Sequence, residues 1–307
     1  MKRRHHAFLR TAAAAAMLLA GGCALAQEAE PRAYTNAPIG INFLIAGYAR
    51  SEGGVAFDPS VPLTNAKLTT DAAILAYGRV LEIGGQSAKF NVVLPYASLK
   101  GTAEFAGKPA AREVSGYGDP KLSLAVNFLG APALSPREFA GYRQYLVVGG
   151  SVQVSLPTGQ YDHDKLVNIG TNRWSVTPGL GLSKALGPWA LELAANATFY
   201  GDNTDFFGGK RREQEPIYSM QGHLIYNFAA GIWAALTATH YGGGRTTLDG
   251  VRGNDLQQNS RIGATLALPV DRHNSIKILA SSGVYTRTGS DFDTVAIAWQ
   301  HRWGAGF

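Results

Sequence analysis

The stretch Val295-Ala296-Ile297-Ala298-Trp299-Gln300-His301-Arg302-Trp303-Gly304-Ala305-Gly306-Phe307 decides the fold. Its odd positions carry Val, Ile, Trp, His, Trp, Ala and Phe, and its even positions are small or polar. Period-two alternation is the mark of a strand whose two faces meet different surroundings. An edge strand of a soluble sandwich is the bland reading. It would leave two Trp and a Phe on an open edge, where another chain could add. The stretch instead predicts the closing strand of a bacterial outer-membrane barrel. Phe307 is then the residue that barrel-assembly machinery would read.

The other end predicts the same compartment. Lys2, Arg3, Arg4 and Arg10 form a basic region, Thr11 to Gly22 a short Ala- and Leu-rich run. Ala24, Leu25 and Ala26 then offer small residues for cleavage before Gln27. This predicts a secretory signal at 1–26 and a barrel at 27–307. A lipoprotein acylated at Cys23 is the weaker reading, because Ala20-Gly21-Gly22 lacks the Leu expected three residues earlier. Cleavage would remove the only cysteine, leaving no thiol chemistry. The net charge of +6 is mostly the leader's. Without its four basic residues, 28 Lys+Arg become 24 against 22 Asp+Glu, or +2. That is no footprint for nucleic acid. With no long apolar run after the leader, only strands could cross a membrane.

Twelve alternating segments follow, near 38–50, 67–83, 86–98, 117–129, 142–156, 172–185, 188–200, 216–228, 231–241, 258–270, 274–287 and 293–307. Each is about long enough for a tilted membrane strand of roughly ten residues. Connections alternate between long (51–66, 99–116, 157–171, 201–215, 242–257) and short (Gly84-Gly85, Leu186-Gly187, Ala229-Ala230, Asp271-Arg272-His273). The segment 130–141 is the one exception on the short side. Outer-membrane barrels have short periplasmic turns and long outer loops. The expectation is an all-β fold: one transmembrane antiparallel β-barrel of twelve strands, with fourteen as the alternative. Residues 27–37 are too few, on this reading, to make a plug. Aromatic belts are expected from Trp189, Trp299 or Trp303, Phe128 and Phe228 on the periplasmic side, and from Tyr96, Phe199, Tyr200 and Tyr241 on the outer side.

Strand alternation assigns candidate lumen residues: Lys89, Asn91, Lys121, Asn127, Gln153, Glu192, Asn196, Gln221, His223, Asn227, Arg261, Lys277, Gln300 and Arg302. Glu192, Asn196, His223, Arg261, Lys277 and Arg302 are the candidate selectivity residues. Both signs of charge fit a polar channel with a charged constriction. They also fit a filled interior in which Glu192 pairs with Arg261, Lys277 or Arg302, since twelve strands lie between filled barrels and open pores. Catalysis has little support. His163 lies between two Asp and His223 shares a face with Ser219, but no Gly-x-Ser-x-Gly motif occurs. No cofactor or metal pattern is present. Lys210-Arg211-Arg212 is a basic run in an expected outer loop, able to meet lipopolysaccharide phosphates or simply to be solvated.

Several phrases are similar to those of a known family. They are Val93-Leu94-Pro95-Tyr96, Gly116-Tyr117-Gly118-Asp119-Pro120, Leu156-Pro157-Thr158-Gly159-Gln160-Tyr161-Asp162 and Asn168-Ile169-Gly170-Thr171-Asn172-Arg173-Trp174. Asn203-Thr204-Asp205-Phe206, Gln214-Glu215-Pro216, Gly242-Gly243-Gly244 and Arg287-Thr288-Gly289-Ser290-Asp291-Phe292-Asp293 continue the set. From about residue 40 onward, the chain resembles the outer-membrane transporter family of the phenol meta-cleavage (MetA) degradation pathway. The resemblance implies passage of small, often aromatic, compounds through the outer membrane. Physically the phrases look like turn chemistry, with Asp119 bonding nearby backbone. The function expected is passive, non-enzymatic uptake or efflux of small hydrophobic or aromatic compounds. A closed structural or surface-binding barrel and a lipid-modifying barrel enzyme are the alternatives.

Overall fold

The computed structural model describes residues 30–56, 63–105, 107–228 and 231–305. The residues of the expected leader and its cleavage point, Ala24, Ala26 and Gln27 among them, lie outside these, as does Phe307. The first strands are β1 (Ile41–Ala56), β2 (Leu63–Ile83), β3 (Gln86–Phe105), β4 (Lys108–Tyr117) and β5 (Lys121–Leu129). A one-turn helix α1 (Pro136–Phe139) precedes β6 (Leu146–Ser155), β7 (Ser175–Leu186), β8 (Trp189–Tyr200), β9 (Asn203–Phe206) and β10 (Lys210–Gln214). Then come β11 (Ile217–Asn227), β12 (Trp233–Gly243), β13 (Thr246–Leu248), β14 (Val251–Arg252), β15 (Gln257–Pro269), β16 (Asn274–Thr286) and β17 (Gly289–Gly304).

Twelve of these close a barrel in the order β1, β2, β3, β5, β6, β7, β8, β11, β12, β15, β16, β17, all antiparallel. β17 returns to β1 from Ile41↔Gly304 upward, so no edge is left open. β4 is the upper continuation of β5: it pairs with β3 above Tyr96, and β5 pairs with β3 below it. Twelve strands, not fourteen, is the count.

The wall is apolar outside and polar inside. Val152, Leu180, Leu193, Met220, Leu236, Ile262, Val295 and Ile297 are exposed on the outer face. Glu192, Gln221, His223, Thr239, Asn259, Arg261 and Thr265 are buried on the inner one. A soluble protein seldom exposes so continuous an apolar surface; a band of this kind faces lipid. Trp189, Phe128 and Phe228 point outward near the short-turn end, as expected, with both Trp299 and Trp303 beside them, and Tyr96 and Phe199 point outward near the other. Tyr200 and Tyr241 do not. Each shares its strand's inward parity, with Glu192 in β8 and Thr239 in β12, and Tyr241 is buried.

The short turns are built by local chemistry. Gly84 and Gly85 both take positive φ, 59° and 76°, with open space around them, as a two-residue hairpin turn requires. The Asp271 carboxylate accepts from His273 N at 2.7 Å and Asn274 N at 2.8 Å. The long connections are more ordered than the sequence suggests. β1, β2, β3 and β4 extend as paired hairpins beyond the expected strand ends. Residues expected as two loops form a separate sheet in the order β14-β13-β10-β9, capping the outer mouth.

Candidate functional site: an occluded lumen

The N-terminal residues 30–40 do not trail into the periplasm. They fold into the periplasmic half of the lumen, which corrects the expectation that this segment is too short for a plug. A tight turn starts it, with Ala33 N donating to Glu30 O at 3.1 Å and Thr35 N to Arg32 O at 3.2 Å. Arg32 takes the left-handed conformation, φ 71°, which a non-glycine residue adopts at a cost. Surrounding contacts hold it there.

Those contacts come from around the wall. Glu192 on β8, 2% exposed, accepts from Arg32 N at 2.7 Å and from Thr35 Oγ1 at 3.1 Å. Lys89 on β3 donates to the carbonyls of Arg32 and Ala33 at 3.2 and 2.9 Å. The Arg32 guanidinium reaches Asn227 Oδ1 at the end of β11 and lies 4.9 Å over the Trp233 ring. Lys277 on β16 pairs with Glu30. Charged partners make such hydrogen bonds stronger than neutral ones, and those to the buried Glu192 are shielded from water, whereas Glu30 is exposed.

Tyr34 is the apolar anchor, 4% exposed. Its ring lies against two glycines that pair across β6 and β7, Gly149↔Gly181. A Cβ on Gly181 would stand 2.1 Å from that ring, and one on Gly149 2.9 Å from it. The glycines therefore make the seat by having no side chain. The Tyr34 hydroxyl lies 3.4 Å from Ser151 Oγ.

The longer periplasmic connection now has a reason. Its one-turn helix carries a capping box between Ser135 and Glu138. The segment before it binds the plug: Asn36 Nδ2 donates to Pro132 O at 3.1 Å and Ile39 N to Leu134 O at 2.9 Å. Gln144, after the helix, accepts from Asn36 N at 3.0 Å.

The sequence-derived lumen set divides accordingly. Lys89, Glu192, Asn227 and Lys277 converge on the plug. His223 stands level with them, paired in register with Glu192 and with its Nδ1 2.9 Å from Thr237 Oγ1, while Asn196, Gln221 and Arg261 line the wall further along: Asn196 meets Ser219 and Gln221 meets Thr239. Arg261 donates to Ser281 Oγ and Phe292 O at 3.2 and 2.9 Å. Asn91 donates to Ser123, and Asn127 is buried. Lys121, Gln153 and Gln300 keep inward parity. Arg302 is placed differently from the expected constriction. It sits at the periplasmic rim, its Nε donating to Arg272 O in the last short turn at 2.7 Å. The sequence reading missed Arg32, Tyr34, Thr35 and the glycine seat. Two glycines at facing inward positions of neighbouring strands were the available signal.

The outer loops converge too. Asp119 accepts from Gly159 N at 2.9 Å, Thr171 N at 2.8 Å and Thr171 Oγ1 at 2.6 Å. It does bond backbone, but 40 and 52 residues away, so it ties three of the quoted phrases together. Lys210-Arg211-Arg212 is not a uniform basic patch. Arg211 faces out and pairs with Asp202 and Glu213, while Arg212 is buried under the cap. His163 lies exposed near Asp205, Nδ1 at 3.3 Å.

The comparisons agree with this architecture. The model of the family described as "Putative MetA-pathway of phenol degradation" matches residues 50–297. No curated protein matches the chain. Among solved structures, the chain resembles the outer membrane channel from Pseudomonas putida F1 at 24% identity and TM-score 0.78, over 90% of this chain and 100% of that one. It also resembles the transport unit of the autotransporter AIDA-I from Escherichia coli, at 12% identity and TM-score 0.55, over 95% and 98%. With its barrel closed, its lipid band outside and its family phrases gathered at the outer mouth, this chain is an outer-membrane β-barrel and belongs to the family of the MetA pathway of phenol degradation.

Proposed function

We propose that the chain is a passive outer-membrane channel for small hydrophobic or aromatic compounds, held closed at rest by its own N-terminal segment. One observation carries the reading: the plug is fastened mainly by side chains from six wall strands, β3, β6, β8, β11, β12 and β16, not by a strand ladder. Such contacts exchange for water when the segment leaves, and each is worth only about 0.5–1.5 kcal/mol net, somewhat more for the charged ones. A wall strand could not leave so cheaply. The family's place in phenol degradation supports the aromatic class of cargo. Catalysis is not part of this reading, because the lumen groups serve the plug and the wall network. Contact with lipopolysaccharide and delivery through Phe307 by the assembly machinery are part of it, as is the role of Glu192, Asn196, His223, Arg261 and Lys277 in selecting solutes.

A filled, permanently closed barrel is the second reading, favoured by the same occlusion. Single-channel recording in a planar bilayer separates them, with and without phenol. Discrete steps that phenol interrupts support the channel. Silence from protein shown folded by its heat-dependent gel shift favours the filled barrel.

A further inference from the structure

The mechanism above leaves two buried cations unused. Arg173 precedes β7, and Arg212 lies on the inner face of β10 under the cap. They are 5% and 7% exposed. The Arg173 guanidinium stacks 4.4 Å over Tyr200, and that of Arg212 lies 5.2 Å over Phe206. Both act electrostatically on the Tyr161 hydroxyl, which places them in one cluster. Arg173 gives one N–H to Gln214 Oε1. Its Nη1 and the Nε of Arg212 are buried with no hydrogen-bond partner among the described residues. Burial, then the Arg212 charge, brings Arg173 down to about 9, and burial lowers Arg212 as well. Arg173 therefore remains a cation at neutral pH.

The neighbouring carboxylates do not take these donors. Asp119 spends its hydrogen bonds on Gly159 and Thr171. Asp255 spends its own on Thr246 N and Oγ1, at 2.9 and 2.6 Å. They supply field without hydrogen bonds, so the site is nearly balanced in charge yet short of acceptors. Unmade hydrogen bonds from buried charged donors are costly. A planar two-oxygen acceptor matches guanidinium donors. One negative charge suits the balance better than two, because Asp119 and Asp255 already face the cations. Aromatic walls favour an organic body over a hydrated ion.

We propose that Arg173 and Arg212 form a binding site under the outer cap for the carboxylate of a small organic acid. The proposal rests on the channel reading and names a substrate class for it: aromatic acids alongside neutral aromatics.

The test uses the full folded chain and 4-fluorobenzoate, followed by fluorine NMR, with 4-fluorobenzamide as its uncharged counterpart. Saturable binding of the benzoate alone is expected, displaced by benzoate and not by equimolar chloride. Arg173→Gln and Arg212→Gln should each weaken it about 10–100-fold, the scale of one charged hydrogen bond. Arg211→Gln, on the outer face, should leave it unchanged. Equal binding of benzamide, displacement by equimolar chloride, or equal weakening by Arg211→Gln would overturn the site. The first and second comparisons need no variant, so a variant that fails to fold does not shield the idea. A chain that conducts and is blocked by phenol but binds no benzoate keeps the channel and loses this site. A chain that binds benzoate but never conducts does the reverse.

Discussion

Gly181→Ala should open the channel. A Cβ at this position would lie 2.1, 2.4 and 2.6 Å from three atoms of the Tyr34 ring. Ordinary carbon contacts are about 3.5–4.0 Å, so the ring must retreat by more than about 1 Å. Gly149 and its pleat block a sideways escape, since that position also lies within contact of the ring. Overpacking of this kind costs about 1–3 kcal/mol. The cost falls only on the plugged state, because Gly181 itself has an ordinary strand conformation that Ala can adopt. A bias of about 1–3 kcal/mol multiplies the unplugged population by roughly 5–150. The assay is single-channel recording, scored as open probability, on protein whose folding is checked by gel shift. Tyr34→Ala should open the channel as well. In its background Gly181→Ala should add almost nothing, because the clash is gone. A folded Gly181→Ala protein with unchanged open probability would refute the reasoning. So would an effect that survives removal of the Tyr34 ring.

Three further outcomes follow from the same geometry. Glu192→Gln keeps an acceptor but loses the charge that Arg32 N and Thr35 Oγ1 use, so open probability should rise about tenfold, while Arg302→Ala at the rim leaves it unchanged; equal effects in bilayer recordings would place the constriction elsewhere. Asp119→Asn should loosen the outer loops at a cost of about 1.5–3 kcal/mol, read as faster protease nicking of 157–171 on intact vesicles; unaltered nicking would show that Asp119 does not tie them. Benzoate affinity should be flat up to about pH 8 and fall above about 9, because Arg173 loses its proton there while benzoate stays ionised; an affinity that titrates instead between pH 5 and 7 would point to histidine and away from Arg173.

The wall was legible in the sequence because its rule is local. Alternation in Trp189-Ala190-Leu191-Glu192-Leu193 fixes which residue meets lipid and which meets the lumen, whatever lies around it. Even the misplaced Tyr200 obeyed that rule, since it shares even parity with Glu192; proximity to a strand end was the wrong guide. Arg212 was hidden in a basic run for the same reason, as alternation along β10 splits the run between solvent and cap. The plug followed no local rule. It has no periodicity, and its partners lie far off in sequence, Glu192 standing 160 positions after Arg32. Its seat is written as an absence of side chains, and glycine is common enough here, at 37 residues, to hide it.

The two ends of this lumen are closed by different physics, and that difference bears on how a solute passes. At the periplasmic end, a short segment replaces water for groups such as Glu192 and Lys89, so its departure leaves each of them free to be solvated. At the outer end, Arg173 and Arg212 are buried among rings with donors unmet, so what they lack is an acceptor and not a covering. An incoming acid would be stabilised at the outer site before it meets the plug. Water suffices to replace the plug's contacts, whereas the arginine pair discriminates by charge and shape. Recognition of an acid at entry then belongs to the cap and occlusion to the N-terminal segment, while the lumen residues act on the solute only after the plug has left. Altering Gly181 should change how often the channel opens, and altering Arg212 should change which solute it holds.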